Sequence, residues 1–204
     1  MALSIRDVMS TDLMTVTPQE GARRAWELMR DRRIRHLPVM ENGRLVGVLS
    51  DRDLRGVLLS PGLAGAAVSE LMSERPITIT PDAAVEDAAS VLVVKKIGCL
   101  PVVDGERLVG IVTETDLLAV LVELLGLLSQ STRLDVVVPG GPDAYATVVD
   151  VIRRNRGQII SVGAVPGTGG ETIFSVRLEP CDPRPLVAAL SRAGFQVLSR
   201  HAEP

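Results

Sequence analysis

Aromatic side chains are the scarcest class in this chain, with one Trp, one Tyr and two Phe in 204 residues. Its core must therefore be built from Val, Leu, Ile and Ala, and the stacking platforms that hold single-stranded nucleic acid are nearly absent. A dominant charge is also missing. The formal net charge of -3 gives no basic footprint for DNA or RNA, so a nucleic-acid partner is not expected. Cysteine is limited to Cys99 and Cys181, without metal or redox spacing, which reads as two reduced thiols with Cys99 buried and no metal site. The apolar run at 117–128 is interrupted by Glu123 and falls well short of the ~20 residues that span a bilayer. Residues 1–7 lack the apolar stretch of a secretory signal. These absences imply a soluble, cytoplasmic protein with no membrane partner.

Catalytic signatures are missing as well. There is no nucleophile elbow, zincin motif or P-loop, and no Cys-His pair of useful spacing, so an enzyme is not expected. Gly167, Thr168, Gly169 and Gly170 lack a lysine and no helix follows them, which makes a hairpin tip of what would otherwise suggest a phosphate loop.

What the chain does have is an internal copy of itself, ungapped, at an offset of 63 residues. Residues 8–55 laid over 71–118 give 16 identities in 48 positions, where unrelated sequences would give roughly 3 to 4; this is a duplicated module. The identities fall in ordered blocks. Met9-Ser10 answers Met72-Ser73, Leu37-Pro38-Val39 answers Leu100-Pro101-Val102, and Arg44-Leu45-Val46-Gly47 answers Arg107-Leu108-Val109-Gly110. After each of these glycines come two aliphatic residues, a hydroxyl residue, two variable residues and an Asp: Ser50 and Asp53 in the first copy, Thr113 and Asp116 in the second.

Each copy reads as strand, helix, strand, strand, helix. Thr17, Pro18 and Glu20 predict a helix start, with Thr17 as N-cap and Glu20 closing a capping box; Thr80-Pro81 repeats its first part. Ala22, Ala25, Trp26 and Met29, and likewise Val85, Ala88, Ala89 and Leu92, share a face at helical spacing and should be core. Asn42-Gly43 and Asp104-Gly105 predict hairpin turns one residue apart in register. The apolar run after Asp116 should be a helix buried against a neighbour or a second subunit. Residues 61–65 read as a linker between the copies. From residue 130 the pattern changes to strand 134–138, a tight Pro-Gly-Gly-Pro loop, helix 143–156, hairpin 159–165 with 172–178, helix 185–193 ended by Gly194, and strand 195–198. That order is βαββαβ, a ferredoxin-like split arrangement.

The tandem motifs resemble a pair of cystathionine β-synthase (CBS) domains, the Bateman module, covering residues 1–128 with repeats at about 5–60 and 68–128. Residues 129–204 resemble an ACT domain, and the whole order is similar to acetoin-utilisation-type regulatory proteins. The fold implied is α/β (α+β), a CBS pair plus a ferredoxin-like ACT-type domain. The resemblance further implies an allosteric, non-catalytic sensor that dimerises through the CBS pair or the ACT-like domain and acts on an unidentified regulated protein. It requires no cofactor. An adenine nucleotide (AMP, ADP or ATP) or S-adenosylmethionine is the regulatory ligand.

By the same resemblance Asp53 and Asp116 would hold ribose, Ser50 and Thr113 would touch ribose or phosphate near a positive helix end, and the backbone at Val16 and Ile79 would border adenine. Arg35, His36 and Arg52 are the phosphate candidates, and Gly140 and Gly141 the candidate ligand loop of the ACT-like part. Where the first copy has Arg35, His36 and Arg52, the second has Gly98, Cys99 and Thr115, so one cleft is expected to dominate. Simpler readings stand beside these. Asp53 and Asp116 can serve as helix caps alone, Arg30, Arg32 and Arg33 as a solvated helix end, and His36 as a packed residue. A ligand-free dimerisation module is the alternative function.

Overall fold

The computed structural model describes residues 3–59, 65–128, 130–139, 143–167 and 170–202. Linker residues 61–64, the loop residues Gly140 and Gly141, and Thr168 and Gly169 of the expected hairpin tip lie outside that set. The chain divides into two compact units, Met1–Leu118 and Ala119–Pro204.

In the first unit the elements run α1 (Ile5–Val8), α2 (Ala22–Arg32), β1 (His36–Glu41), β2 (Arg44–Ser50) and α3 (Asp51–Leu59), then β3 (Ser73–Glu74), α4 (Val85–Lys95), β4 (Cys99–Asp104), β5 (Arg107–Thr113) and α5 (Glu114–Leu124). β1 pairs antiparallel with β2 and β4 with β5, and each hairpin shifts register at the same place, Val39/Met40 and Val102/Val103. The strand expected at the head of each copy is reduced to one parallel bridge, Val16 to Val39 and Ile79 to Val102.

Both hairpin loops hold two residues at equivalent positions, which corrects the expected one-residue offset. Glu41 pairs with Arg44 across Asn42-Gly43, and Asp104 pairs with Arg107 across Gly105-Glu106. The loop needs positive φ at its first residue, and Asn42 (φ 50) and Gly105 (φ 62) both supply it.

The helix starts also differ from expectation. Thr17 N donates to Glu20 Oε1 at 2.8 Å, so the Glu20 half of the box forms, while Glu20 N donates to the Thr17 carbonyl at 3.2 Å. It closes a free-standing turn, however, and α2 begins later, at Ala22, with Gly21 as N-cap. The reason is that residues 18–22 are engaged by the other copy. Ser69 N donates to Pro18 O at 2.9 Å, Val68 N to Glu20 O at 2.8 Å and Ala22 N to Ala66 O at 2.9 Å. The same crossing recurs at the other end, where Ile5 N donates to Ala83 O and Arg6 N to Pro81 O.

The head of each copy therefore packs into the core of the other. Ala66 and Val68 join Val16, Ala25, Met29, Leu37 and Leu49, while Ile5, with Val8 and Met9 beside it, joins Ala88, Leu92, Leu100 and Val112. This exchange explains why the Met-Ser and Arg-Leu-Val-Gly blocks recur together. A Cβ on Gly47 would lie 2.6 Å from Met72 Sδ, and one on Gly110 2.5 Å from Met9 Sδ, so each glycine makes room for the opposite copy's methionine. Trp26 packs at the margin of its core rather than inside it.

The boundary between units falls within α5, whose side chains are not buried: Leu118, Leu121 and Leu124 are at least half exposed. That overturns burial of this helix within the chain. It ends at Gly126 (φ 63), where Leu127 N returns to Val122 O and Gly126 N to Glu123 O, a glycine-terminated stop. No helix among the described residues is long and apolar enough to cross a membrane.

The second unit carries β6 (Thr132–Val138), α6 (Ala144–Arg154), β7 (Ile159–Pro166), β8 (Thr172–Leu178), α7 (Pro183–Arg192) and β9 (Gln196–Ala202). Its sheet is antiparallel throughout, in the order β7-β8-β6-β9, which is the split βαββαβ arrangement. Leu134, Val136 and Val138 face Val148, Ile152, Leu186 and Leu190 of the two helices. α7 starts at Pro183, earlier than expected, because Asp182 caps it by accepting from Arg184 N at 3.0 Å.

Candidate functional site

Each hairpin delivers a hydroxyl residue to the start of a helix. Ser50 ends β2 and caps α3, donating from N and Oγ to Asp53 Oδ2 at 2.8 and 2.6 Å, while Asp53 N returns to Ser50 Oγ at 3.3 Å. Thr113 and Asp116 repeat this at 2.8, 2.7 and 3.3 Å on α5. Each aspartate thus closes a capping box on the hydroxyl residue that caps its helix. Capping does not exhaust them, since every cap bond falls on Oδ2 and a carboxylate offers about four acceptor positions.

α2 and α4 end in left-handed residues, Arg33 (φ 54) and Lys96 (φ 54), and Ile34 N and Ile97 N fold back to Met29 O and Leu92 O. This stop turns the chain sharply, and brings Arg35-His36 and Gly98-Cys99 to the entrance of β1 and β4. Asp51 N then donates to Arg35 O at 2.9 Å, and Glu114 N to Gly98 O at 3.2 Å, tying the next helix start to the same point.

A cavity of about 440 Å³ opens beside the Ser50–Asp53 cap, a volume suited to a small organic ligand. Of the sequence candidates, it gathers Arg35, His36, Ser50, Arg52 and Asp53. Thr113 and Asp116 stand apart, at the equivalent place on α5. Val16 and Ile79 do not line the cavity either. Val16 is buried in the first core and Ile79 packs on the second, and the N–H and C=O of each are bonded to β1 or β4.

The remaining wall was not legible beforehand. Arg75, Pro76 and Ile77 follow β3, and Lys96, Ile97 and Gly98 come from the end of α4, all from the second copy. The recurrence of Met-Ser with Arg-Leu-Val-Gly was the available signal, because it brings the residues after Met72-Ser73 to the first copy's hairpin.

His36 and Gly98 meet across the cavity wall. A Cβ on Gly98 would sit 2.8 Å from His36 Nε2, so the imidazole edge rests where only a glycine fits. Burial, reinforced by the Arg35 charge, lowers the His36 pKa below its ordinary value, and the ring is neutral near pH 7. Cys99 is also buried, and burial pushes its thiol up to about 12, so it presents an inert S–H. Basic side chains on the lining (Arg35, Arg52, Arg75, Lys96) are matched by Asp51, Asp53, Glu74 and Glu114. The cavity therefore combines local donors and acceptors rather than a single strong potential.

Arg35 departs from the grouping the sequence suggested. It lines the cavity, yet its Nη2 donates to Thr115 Oγ1 at 3.2 Å, on the first turn of α5. Its cationic end therefore leans toward the second copy's helix rather than toward Arg52.

The CBS-domain family model matches residues 5–60 and again residues 68–123. This chain belongs to the CBS-domain family. Its relatives include the CBS domain-containing protein YhcV of Bacillus subtilis, 37% identical over 115 residues, which are 56% of this chain and 82% of YhcV. A Vibrio cholerae protein named for acetoin utilization, AcuB, superimposes with a TM-score of 0.56 at 32% identity, over 64% of this chain and 98% of that one. CBSX2 of Arabidopsis thaliana, solved in complex with AMP, gives a TM-score of 0.53 at 31% identity, over 59% of this chain and 96% of its own. The CBS matches stop at residue 123, before the βαββαβ unit.

Proposed function

We propose that this CBS pair is a non-catalytic regulatory sensor that takes an adenine nucleotide into the cavity beside Asp53. The observation that carries the reading is the coincidence, in one cavity of about 440 Å³, of the Ser50–Asp53 cap, Arg52 and His36. Asp53 Oδ1 accepts the ribose hydroxyls, Arg52 at the N-terminal turn of α3 meets phosphate with a planar donor fork, and Pro76 and Ile77 offer the base an apolar wall. The AMP held by CBSX2, which shares this fold, supports the ligand class.

Signalling follows from the same geometry. A ligand that prefers one arrangement of the two copies shifts their equilibrium, and α5, which starts at the second cap and runs into the βαββαβ unit, is the route outward. That unit is read as ACT-like on its strand order, and the exposed Val93 and Val94 of α4 support association of two copies through the CBS pair in the cytoplasm.

Isothermal titration calorimetry against AMP, ADP, ATP and S-adenosylmethionine tests the reading. Saturable binding abolished by Asp53→Ala is expected; no heat with any of the four overturns it.

A further inference from the structure

A connection between a helix and the next strand ordinarily runs over the surface with few contacts of its own. The one that leads from α5 to β6 is fastened near both ends. At its start, Ser161 Oγ of β7 donates to Leu125 O at 2.9 Å. Gly126 follows, buried and left-handed (φ 63), at a place where a Cβ would come 2.8 Å from Ile160 Cγ2 of the same strand. Glycine is therefore required there twice, for its backbone and for the close approach. At the other end, Arg177 Nη1 of β8 donates to the buried Ser131 Oγ at 2.6 Å. Ser161 and Arg177 are partners in the β7–β8 ladder. Arg177 alternates with Val176 and Leu178, which join the core beneath α6 and α7, so the fastenings lie on the face of the sheet that carries no helix.

We infer that this connection is a strap that ties the end of α5 to the β7–β8 hairpin, and that the hairpin is where a nucleotide-driven movement of α5 is delivered. The inference rests on the sensor reading and deepens it, because it gives the outward route a destination and names Gly126, Ser131, Ser161 and Arg177 as the residues that hand the movement on. The physical argument is one of compliance. A free connection absorbs the displacement of a helix in its own dihedrals, whereas one bonded and packed along a sheet carries the sheet with it. Were the connection free, α5 would reach the sheet only through β6, and the two strands beside β6, which are β8 and β9, would respond alike. The strap makes the response unequal. β7 and β8 move with α5, and β9, to which none of these three contacts runs, does not.

Hydrogen–deuterium exchange of the full chain, with and without AMP at a concentration that saturates binding by calorimetry, tests the inference. AMP should change exchange at β7 and β8 by about twofold or more, the lower end of the coupling that links distant sites, and leave β9 unchanged. Gly126→Ala, whose methyl meets Ile160 and whose backbone resists the left-handed turn, should erase the change while AMP affinity is kept, since Gly126 does not line the cavity. Ser131→Ala combined with Ser161→Ala removes both hydrogen bonds without strain and serves if Gly126→Ala does not fold by circular dichroism; it should reduce the change. If AMP binds and β9 responds as β8 does, or no strand of the sheet responds, the inference is wrong and the sensor reading survives. A change that persists undiminished in the variant used also overturns it. If the unaltered chain binds no AMP, both fall.

Discussion

The two halves of the CBS pair share their hairpins, caps and helix stops, and differ where they meet. Positions 35/98, 36/99 and 52/115 read Arg/Gly, His/Cys and Arg/Thr, and each difference is answered by a neighbour from the other copy. His36 needs Gly98, since a Cβ there would lie 2.8 Å from its Nε2. Thr115 lacks charge, and Arg35 reaches it. The two copies keep equivalent hairpins and caps, and divergence of a few facing residues makes their surroundings unequal. The lesson is that Arg35 and His36 each meet a residue of the other copy, so neither copy can be read alone.

The largest effect should come from breaking the exchange of heads between the copies. Ile5 is fully buried in the second core although it lies in the first repeat, and Val68 is its counterpart in the first core. Ile5→Ala should cost about 2–5 kcal/mol in urea denaturation, as truncation inside a closed core does. A loss under about 1 kcal/mol would show that Ile5 does not belong to that core. Gly110→Ala comes next. Its methyl meets Met9 Sδ at 2.5 Å, and a cost of about 1–3 kcal/mol is expected from overpacking.

Asp53→Ala and Asp116→Ala sharpen the comparison because their stability costs should match at about 1 kcal/mol, the value of a helix cap. Only their effects on nucleotide binding should reveal which cleft is which. Thermal melts and calorimetry on the same samples separate the two quantities, and unequal cap losses would mean that the caps are not equivalent.

His36 makes the first half pH-sensitive. Its folded pKa lies below the unfolded value of 6.5, so the unfolded chain takes the proton first as pH falls. The stability due to the neutral ring is therefore fully present above the unfolded pKa and is lost from about pH 6.5 downward until the folded pKa is passed. His36→Gln should flatten that part of the stability profile, while Cys99→Ser should leave it unchanged. The smallest effect separates the thiols. Cys99, buried and pushed up to about 12, should resist iodoacetamide in the native state, while the half-buried Cys181 is modified first.

Much of this was legible in the chain. The repeat, both hairpins, the Ser/Thr-to-Asp caps and the βαββαβ order follow from local patterns: period, turn residues and hydroxyl-acid spacing. The Thr17–Glu20 box was sound chemistry, but the chain there is held by residues 66–69 of the other copy, so it closes a turn instead of a helix. The apolar character of α5 suggested burial against a neighbour or a second subunit, and within the chain Leu118, Leu121 and Leu124 are exposed, because hydrophobicity states what a helix could bury and not what covers it.

By itself the sequence determined that this protein is built from a duplicated CBS motif, with capped aspartates and unequal charges, because those features depend on residues close together in the chain. Only the tertiary structure decided that Ile5 and Val68 trade cores, that Gly98 makes room for His36, and that Arg35 reaches Thr115. Each of these depends on contacts between residues some sixty or more positions apart, and side-chain type fixes what a residue can bond to, whereas packing alone fixes what lies within its reach.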